Sequence, residues 1–142
     1  TQVTDGGLQH LSVMTHLHEL SLNKTQISDA GLLHLAGLTQ LRRLVLGSNA
    51  LTHQGLIHLK GLTQLQRLSL DNTQVQDGGL IHLQPLMQLQ NLTLSGTPIT
   101  AAGLGHLKQM THLRALNLLG TRVSASAVGT LQDALPDCEI YK

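Results

Sequence analysis

One phrase of sequence returns every 24 residues along this chain, without a single insertion. Its full form, T-Q-[VI]-x-D-x-G-L-x-H-L, and its looser copies begin at Thr1, Thr25, Asn49, Thr73, Thr97 and Thr121. A fixed period of this length is typical of a solenoid, in which each unit buries its apolar face only against its neighbours. The pattern therefore predicts a single domain over residues 1–142, with units 1–24, 25–48, 49–72, 73–96 and 97–120 and a C-terminal capping unit, 121–142.

The second unit shows what one repeat is expected to form. Leu44 and Leu46 alternate with Arg43 and Val45, which indicates a strand with one buried face. The segment 28–35 reads as a short helix, with a serine that could cap it and an aspartate suited to the positive end of the helix dipole. Strand, turn, short helix and turn then repeat, so successive strands must be parallel neighbours. The prediction is an α/β solenoid, a curved right-handed coil with a parallel sheet on its concave face and short helices on its convex face.

The two ends of the coil are expected to differ. At the C-terminus, Ile140 falls in the column of Leu116, which predicts a closing strand over the last leucine layer. The first unit has nothing before it, so we expect exposed apolar surface there. The residues concerned are Val3, Leu8, Leu11, Leu20 and Leu22. Either a cap or another chain would cover them, and two such ends meeting would give a homodimer.

The repeat resembles a known family over the whole chain. Its consensus, L-x-x-L-x-L-x-x-[TN]-x-[IV]-x-D-x-G-L-x-x-L, is similar to the leucine-rich repeat. The T-x-I-x-D-x-G-L portion resembles bacterial leucine-rich repeat proteins and the cysteine-containing subtype of F-box substrate receptors. In that subtype a cysteine commonly fills the column that holds Thr or Asn here. A small side chain with a donor can bond to the backbone of the turn.

Composition removes several classes of function. The formal net charge is +1, which argues against nucleic-acid or membrane-surface partners. Cys138 is the only cysteine, so no intrachain disulfide can form, and a buried thiol in the cap is the expected reading. The sequence contains no phosphate-binding loop, nucleophile elbow or H-E-x-x-H motif. We therefore predict that the protein is not an enzyme and needs no cofactor.

Repeated histidines and aspartates suggest metal sites that spacing disfavours. One helix column contains His10, His34, His58, His82 and His106. Packed helices lie about 8–10 Å apart, whereas zinc ligands lie about 2 Å from the metal, so a half-buried structural column is the better interpretation. Asp5, Asp29 and Asp77 recur at the helix start, where dipole stabilisation explains them without calcium. No metal site is predicted.

The outward-facing columns of the strands vary while their neighbours remain leucine, which favours a binding surface on a constant scaffold. The predicted partner-binding residues are Glu19, Ser21, Arg43, Val45, Arg67, Ser69, Asp71, Asn91, Thr93, Asn117 and Leu119. Arg42, Arg43 and Arg67 form a basic centre, which would favour a protein partner with an acidic patch. The prediction is a non-catalytic protein-interaction module. The alternatives are the recognition domain of a larger effector or ubiquitin-ligase-type protein, a self-associating scaffold and, last, a metal-binding protein.

Overall fold

A computed structural model describes residues 2–142. Thr1, where the first repeat begins, lies outside the described residues. Six short strands form one parallel sheet in chain order. They are β1 Glu19–Ser21, β2 Arg43–Val45, β3 Arg67–Ser69, β4 Asn91–Thr93, β5 Ala115–Asn117 and β6 Glu139–Tyr141. Each residue pairs with the one 24 positions later, as Leu20 pairs with Leu44, so the sequence period and the sheet register coincide.

The opposite side of the coil carries one short helical segment per unit. These segments are α1 Asp5–Leu8 and α2 Asp29–Leu32, each continued by a 3-10 turn; 3-10 segments Gly55–Leu59 and Asp77–Leu83; α3 Ala101–Leu104, also continued by a 3-10 turn; and α4 Ala125–Ala134. The first five span one or two turns each, and only α4 reaches ten residues. The predicted strand–helix unit, the parallel sheet and the closing strand are confirmed, with Ile140 paired to Leu116.

Leucine, isoleucine and valine columns form one continuous core between strands and helices. From the second unit onward these columns are closed to solvent, as at Leu44, Leu68 and Leu92, which are no more than 2% exposed. The expected exposure of the first unit is only partly right. Leu8 and Leu22 are buried, because the second unit alone covers them, whereas Val3, Leu11 and Leu20 are half-buried.

In the turn after each of β1 to β5, a threonine or asparagine side chain donates hydrogen bonds to the backbone, as the sequence predicts. The hydroxyls of Thr25, Thr73, Thr97 and Thr121 each donate to the backbone carbonyl three residues earlier, over 2.5–2.9 Å. Asn49 replaces threonine in one unit and donates its side-chain amide to three carbonyls. These bonds help to satisfy the carbonyls of the turn, of which those of Leu94 and Leu118 also accept from a backbone amide.

The aspartates lie in the first turns of their helices, as predicted, and also make hydrogen bonds that the sequence did not predict. Asp5 accepts hydrogen bonds from the amide and the hydroxyl of Ser28, in the next unit, over 2.8 and 2.6 Å. Asp29 does the same with Thr52, and Asp77 with Thr100. We call each such pair an aspartate clasp. The prediction that the Ser28 side chain caps its own helix is wrong, because no amide of that helix donates to its hydroxyl.

Candidate functional site

The outward face of the sheet consists of two side-chain columns set by the strand register. One column contains Glu19, Arg43, Arg67, Asn91, Ala115 and Glu139. The other contains Ser21, Val45, Ser69, Thr93, Asn117 and Tyr141. Parallel strands place neighbouring members about 4.8 Å apart, so nine of the eleven predicted partner-binding residues lie in two adjacent rows. Asp71 and Leu119 lie just beyond the strands, in the turns that follow β3 and β5.

Two adjoining depressions mark the N-terminal half of this face. The first has a volume of about 220 Å³; its lining includes Arg43, Val45, Arg67, Ser69, Asn91 and Thr93. The second, of about 210 Å³, lies against β1 and β2; it is lined by Glu19, Leu20, Ser21, Arg43 and Val45. Arg43 and Val45 line both, so the two form one surface, which we call the concave basic patch. Its floor is a fixed sheet and its rim is polar.

The two strand arginines of the patch are in different electrostatic situations. Arg43 lies 3.5 Å from the carboxylate of Glu19, in an exposed ion pair that solvent weakens. Arg67 forms no ion pair with any residue between 2 and 142. Arg42 does not join them, although the sequence suggested a three-arginine centre. It points to the flank, where it lines a separate polar depression of about 410 Å³ with His18 and Gln64.

Asp71 is half-buried, and its carboxylate is hydrogen-bonded within the protein. Its carboxylate accepts hydrogen bonds from the hydroxyls of Ser69 (2.8 Å) and Thr93 (2.7 Å) and from the amide of Ser95 (3.1 Å). These three bonds span β3, β4 and the turn after β4. Asp71 therefore fixes the orientation of Ser69 and Thr93 beside the patch, and it forms no ion pair with Arg67.

Sequence reasoning missed two residues of the concave face, Glu139 and Tyr141 on β6. The Tyr141 hydroxyl donates to the Glu139 carboxylate over 2.5 Å, and this hydrogen bond raises the pKa of the tyrosine. The sequence did contain the information needed to find them. Ile140 falls in the leucine column, so its two neighbours in the strand must face outward. Together they give the C-terminal end of the face an acidic and aromatic character, opposite to the arginines at the other end.

The histidines and the cysteine occupy structural positions. His34, His58, His82 and His106 are half-buried and His10 is exposed. Residues 2–142 contain no group of three or more His, Cys, Asp or Glu side chains placed to hold a metal ion. Cys138 is 3% exposed, and burial raises the pKa of its thiol to about 11, so it is a poor nucleophile at neutral pH. Within the described part of the chain, no helix is long and apolar enough to span a membrane.

Comparison with known proteins agrees with this architecture. A family model described as a leucine-rich repeat matches residues 13–36, which run from the turn before β1 through the 3-10 end of the second helix. Those residues contain the strand and the helical segment that the other units repeat. The fold is that of a leucine-rich repeat solenoid. No curated protein matches it significantly in sequence.

Solved structures of bacterial leucine-rich repeat proteins match nearly the whole chain. An internalin from Listeria monocytogenes (inlF) is 26% identical, with a TM-score of 0.85 over 99% of this chain and 38% of its own. A leucine-rich repeat protein from Leptospira interrogans is 24% identical, with a TM-score of 0.76 over 94% of this chain and 33% of its own. Internalin C2 from Listeria monocytogenes is 25% identical, with a TM-score of 0.63 over 99% of this chain and 66% of its own.

These matches bear on function in general terms. This chain spans between a third and two thirds of the length of the structures it resembles. Leucine-rich repeat proteins generally bind protein partners and are typically non-catalytic, and the fold found here is that of an interaction module.

Proposed function

We propose that this protein is a non-catalytic interaction module that binds an acidic segment of a partner protein on the concave basic patch. The observation that carries the proposal is the free charge of Arg67, which lines a depression of about 220 Å³ and has no ion pair among residues 2–142. Arginine offers a planar donor fork that suits carboxylates and a stem that packs on apolar groups. An acidic side chain entering this depression would meet Arg67 without displacing an internal partner.

The surroundings support the same class of ligand. Ser69 and Thr93 are held by Asp71, so the hydroxyls beside Arg67 are already fixed before binding. The sheet backbone is also fixed, which reduces the ordering cost of association. The ion pair between Arg43 and Glu19 is exposed and long, so a stronger carboxylate ligand could replace it at small cost.

A peptide-display selection tests this proposal and does not require the natural partner. Random peptides selected on the wild-type protein should be enriched in Asp and Glu. Arg43→Glu with Arg67→Glu should weaken these peptides at least tenfold, or about 1.4 kcal/mol, and leave the melting temperature nearly unchanged. The matched control, Lys60→Glu with Lys108→Glu, makes the same change of charge on the helical side, where both lysines are exposed. Equal losses in the two variants would indicate bulk electrostatics and contradict the proposal.

A second proposal concerns the whole protein. The concave basic patch would then be the recognition part of a larger effector or ubiquitin-ligase-type protein. This proposal is favoured by the small share of the similar structures that the chain matches, which is 38% of the internalin structure and 33% of the Leptospira structure. The two proposals use the same surface, and sequencing of the complete gene distinguishes them.

A further inference from the structure

Charge is distributed unevenly along the first outward column of the sheet. In strand order this column reads Glu19, Arg43, Arg67, Asn91, Ala115 and Glu139. The first two residues compensate each other, because their side chains lie 3.5 Å apart. Neither Arg67 nor Glu139 forms an ion pair with any residue between 2 and 142. The concave face therefore contains one uncompensated cation and one uncompensated anion, on different strands.

Glu139 is exposed to solvent and held in a fixed position on β6. Its carboxylate accepts a hydrogen bond from the Tyr141 hydroxyl over 2.5 Å. Arg114, whose carbonyl accepts from the Glu139 amide, directs its guanidinium to Asp137 instead, at 3.1 Å. Tyr141 is itself 50% exposed, and an aromatic ring beside a carboxylate suits the stem and the charge of a Lys or Arg. We call Glu139 and Tyr141 the acidic end of the concave face.

The distance between the two uncompensated charges corresponds to a short length of extended chain. Arg67 on β3 and Glu139 on β6 are separated by three strand spacings, or about 14 Å. The tips of side chains on a concave face lie somewhat closer together than the strands that carry them. An extended segment rises about 3.3 Å per residue, so four residues cover about 13 Å. A carboxylate and a basic group four residues apart would therefore reach both charges at once.

The surface between these charges suits an extended segment better than a helix. The Asn91 side chain is half-buried and hydrogen-bonds to no residue between 2 and 142. Asn117 uses only its side-chain oxygen, which accepts from the Leu119 amide over 3.0 Å. Amide side chains can both donate to and accept from the free backbone groups of an extended segment. A helix satisfies those groups internally and binds through an apolar face, for which this polar stretch offers no groove.

The two ends of the column disfavour a long acidic tract. Glu19 lies one strand beyond Arg43, and Glu139 lies three strands beyond Arg67. Carboxylates of a partner would be repelled at both places, and such repulsion selects against the wrong ligand. The acidic part of a well-matched segment is therefore limited to the width of β2 and β3.

We propose that the concave face binds an extended segment that carries opposite charges at a fixed spacing. An Asp or Glu of this segment pairs with Arg67. A Lys or Arg four residues away in the segment pairs with Glu139 and lies against the Tyr141 ring. This inference rests on the function proposed above, since both use the concave basic patch. It adds the charge pattern and the length of the segment, which spans the four strands β3 to β6.

Peptide selection on charge-reversed variants tests this inference. The same random-peptide library is selected on the wild-type protein, on Glu139→Arg and on a matched control, Asp137→Arg. Asp137 is an exposed acid two residues earlier, outside the strand, so the control makes the same change of charge off the face. Wild type and control should enrich peptides in which Lys or Arg stands four residues from Asp or Glu. Glu139→Arg should replace that basic residue with an acidic one and keep the residue that pairs with Arg67.

A synthetic peptide from the wild-type selection measures the second contact directly. Replacing its Lys or Arg with Ala should weaken binding to the wild-type protein about threefold to tenfold, as expected for one exposed ion pair with an aromatic neighbour. The same replacement should change binding to Glu139→Gln very little, because that variant has already lost the charge. Melting temperatures of the variants establish that all of them are folded.

The possible outcomes separate this inference from the proposed function. Enrichment of Asp and Glu with no basic residue at a fixed spacing would overturn the inference and leave the binding of an acidic segment standing. A basic residue about nine positions away would indicate a helical ligand and would also overturn it. Equal effects of Glu139→Arg and Asp137→Arg would indicate bulk electrostatics, with the same consequence. A selection with no enrichment of Asp or Glu would contradict the proposed function itself.

Discussion

At the residue scale, each position in the 24-residue unit is set by a contact with the neighbouring unit. Asp29 requires Thr52 as a double donor and Gly55 as an open space, and these three residues recur together at the well-formed junctions. Leucines obey the same rule through packing, since Leu68 lies between Leu44 and Leu92 in the sheet register. A residue in this coil is therefore best understood from the residues 24 positions away on either side.

Leu68→Ala tests that view in the middle of the core. Leu68 is 2% exposed, so the change leaves a cavity between two leucine layers and should lower the free energy of unfolding by about 2–5 kcal/mol. Gln90→Ala, at an exposed position just before β4, should cost under about 0.5 kcal/mol. Denaturant titration of both variants measures the two costs. Equal midpoints would mean that the inward and outward faces have been assigned wrongly.

At the scale of elements, the junction between the third and fourth units is one of two that lack an aspartate clasp, the other being the junction between the fifth and sixth units, where Ala101 replaces the aspartate. Between the third and fourth units the aspartate position holds His53 and the Ser or Thr position holds Gln76, so the clasp is absent there. The Nδ1 atom of His53 is buried without a hydrogen-bond partner among the described residues. An unsatisfied buried polar atom has a free-energy cost of about 1–3 kcal/mol, so this junction loses a favourable contact and also contains an unfavourable one.

Rebuilding the clasp should strengthen this junction. His53→Asp with Gln76→Thr supplies the carboxylate and the hydroxyl found at the three clasped junctions, and should raise the free energy of unfolding by about 1.5–3 kcal/mol. The increases in the free energy of unfolding of the two single variants should add up to less than half of this value, because each variant supplies only the carboxylate or only the hydroxyl. Denaturant titration of the four proteins gives the coupling energy. The reverse change, Asp29→His with Thr52→Gln, is the matched control and should destabilise. A rebuilt variant no more stable than wild type would contradict the role of the clasp.

At the scale of the whole molecule, the sequence determined most of the fold and only part of the site. The 24-residue period was enough to predict parallel strands, leucine layers and the closing strand, because those follow from which side chains must be buried. It did not reveal that Asp5 accepts hydrogen bonds from Ser28. An aspartate at a helix start can stabilise its own helix or bind the next unit, and the sequence pattern is the same in both cases. Nor did it show that Asp71 accepts hydrogen bonds from Ser69 and Thr93, because outward columns obey no burial rule.

One side chain connects the last helix to the segment before the last strand. Gln132, on α4, donates its amide to the carbonyls of Leu135 (3.0 Å) and Cys138 (2.8 Å), which ties the helix to the segment leading into β6. Cys138 lies beneath this tie with its thiol 3% exposed. Terminal units have only one neighbour, so the local stability of this cap depends on few contacts.

Gln132→Ala should loosen this cap while leaving the rest of the coil folded. Loss of two hydrogen bonds to buried carbonyls should cost about 1–3 kcal/mol locally. The Cys138 thiol reports the change, because in the closed cap burial both blocks access and raises its pKa to about 11, so very little reactive thiolate forms at about pH 8. Once the cap opens, the thiol should return towards its ordinary pKa, and its modification by a disulfide reagent should accelerate at least tenfold. Asp133→Ala changes the exposed residue next to it and should leave the rate unaltered. If both variants react at the wild-type rate, Gln132 does not hold the cap closed.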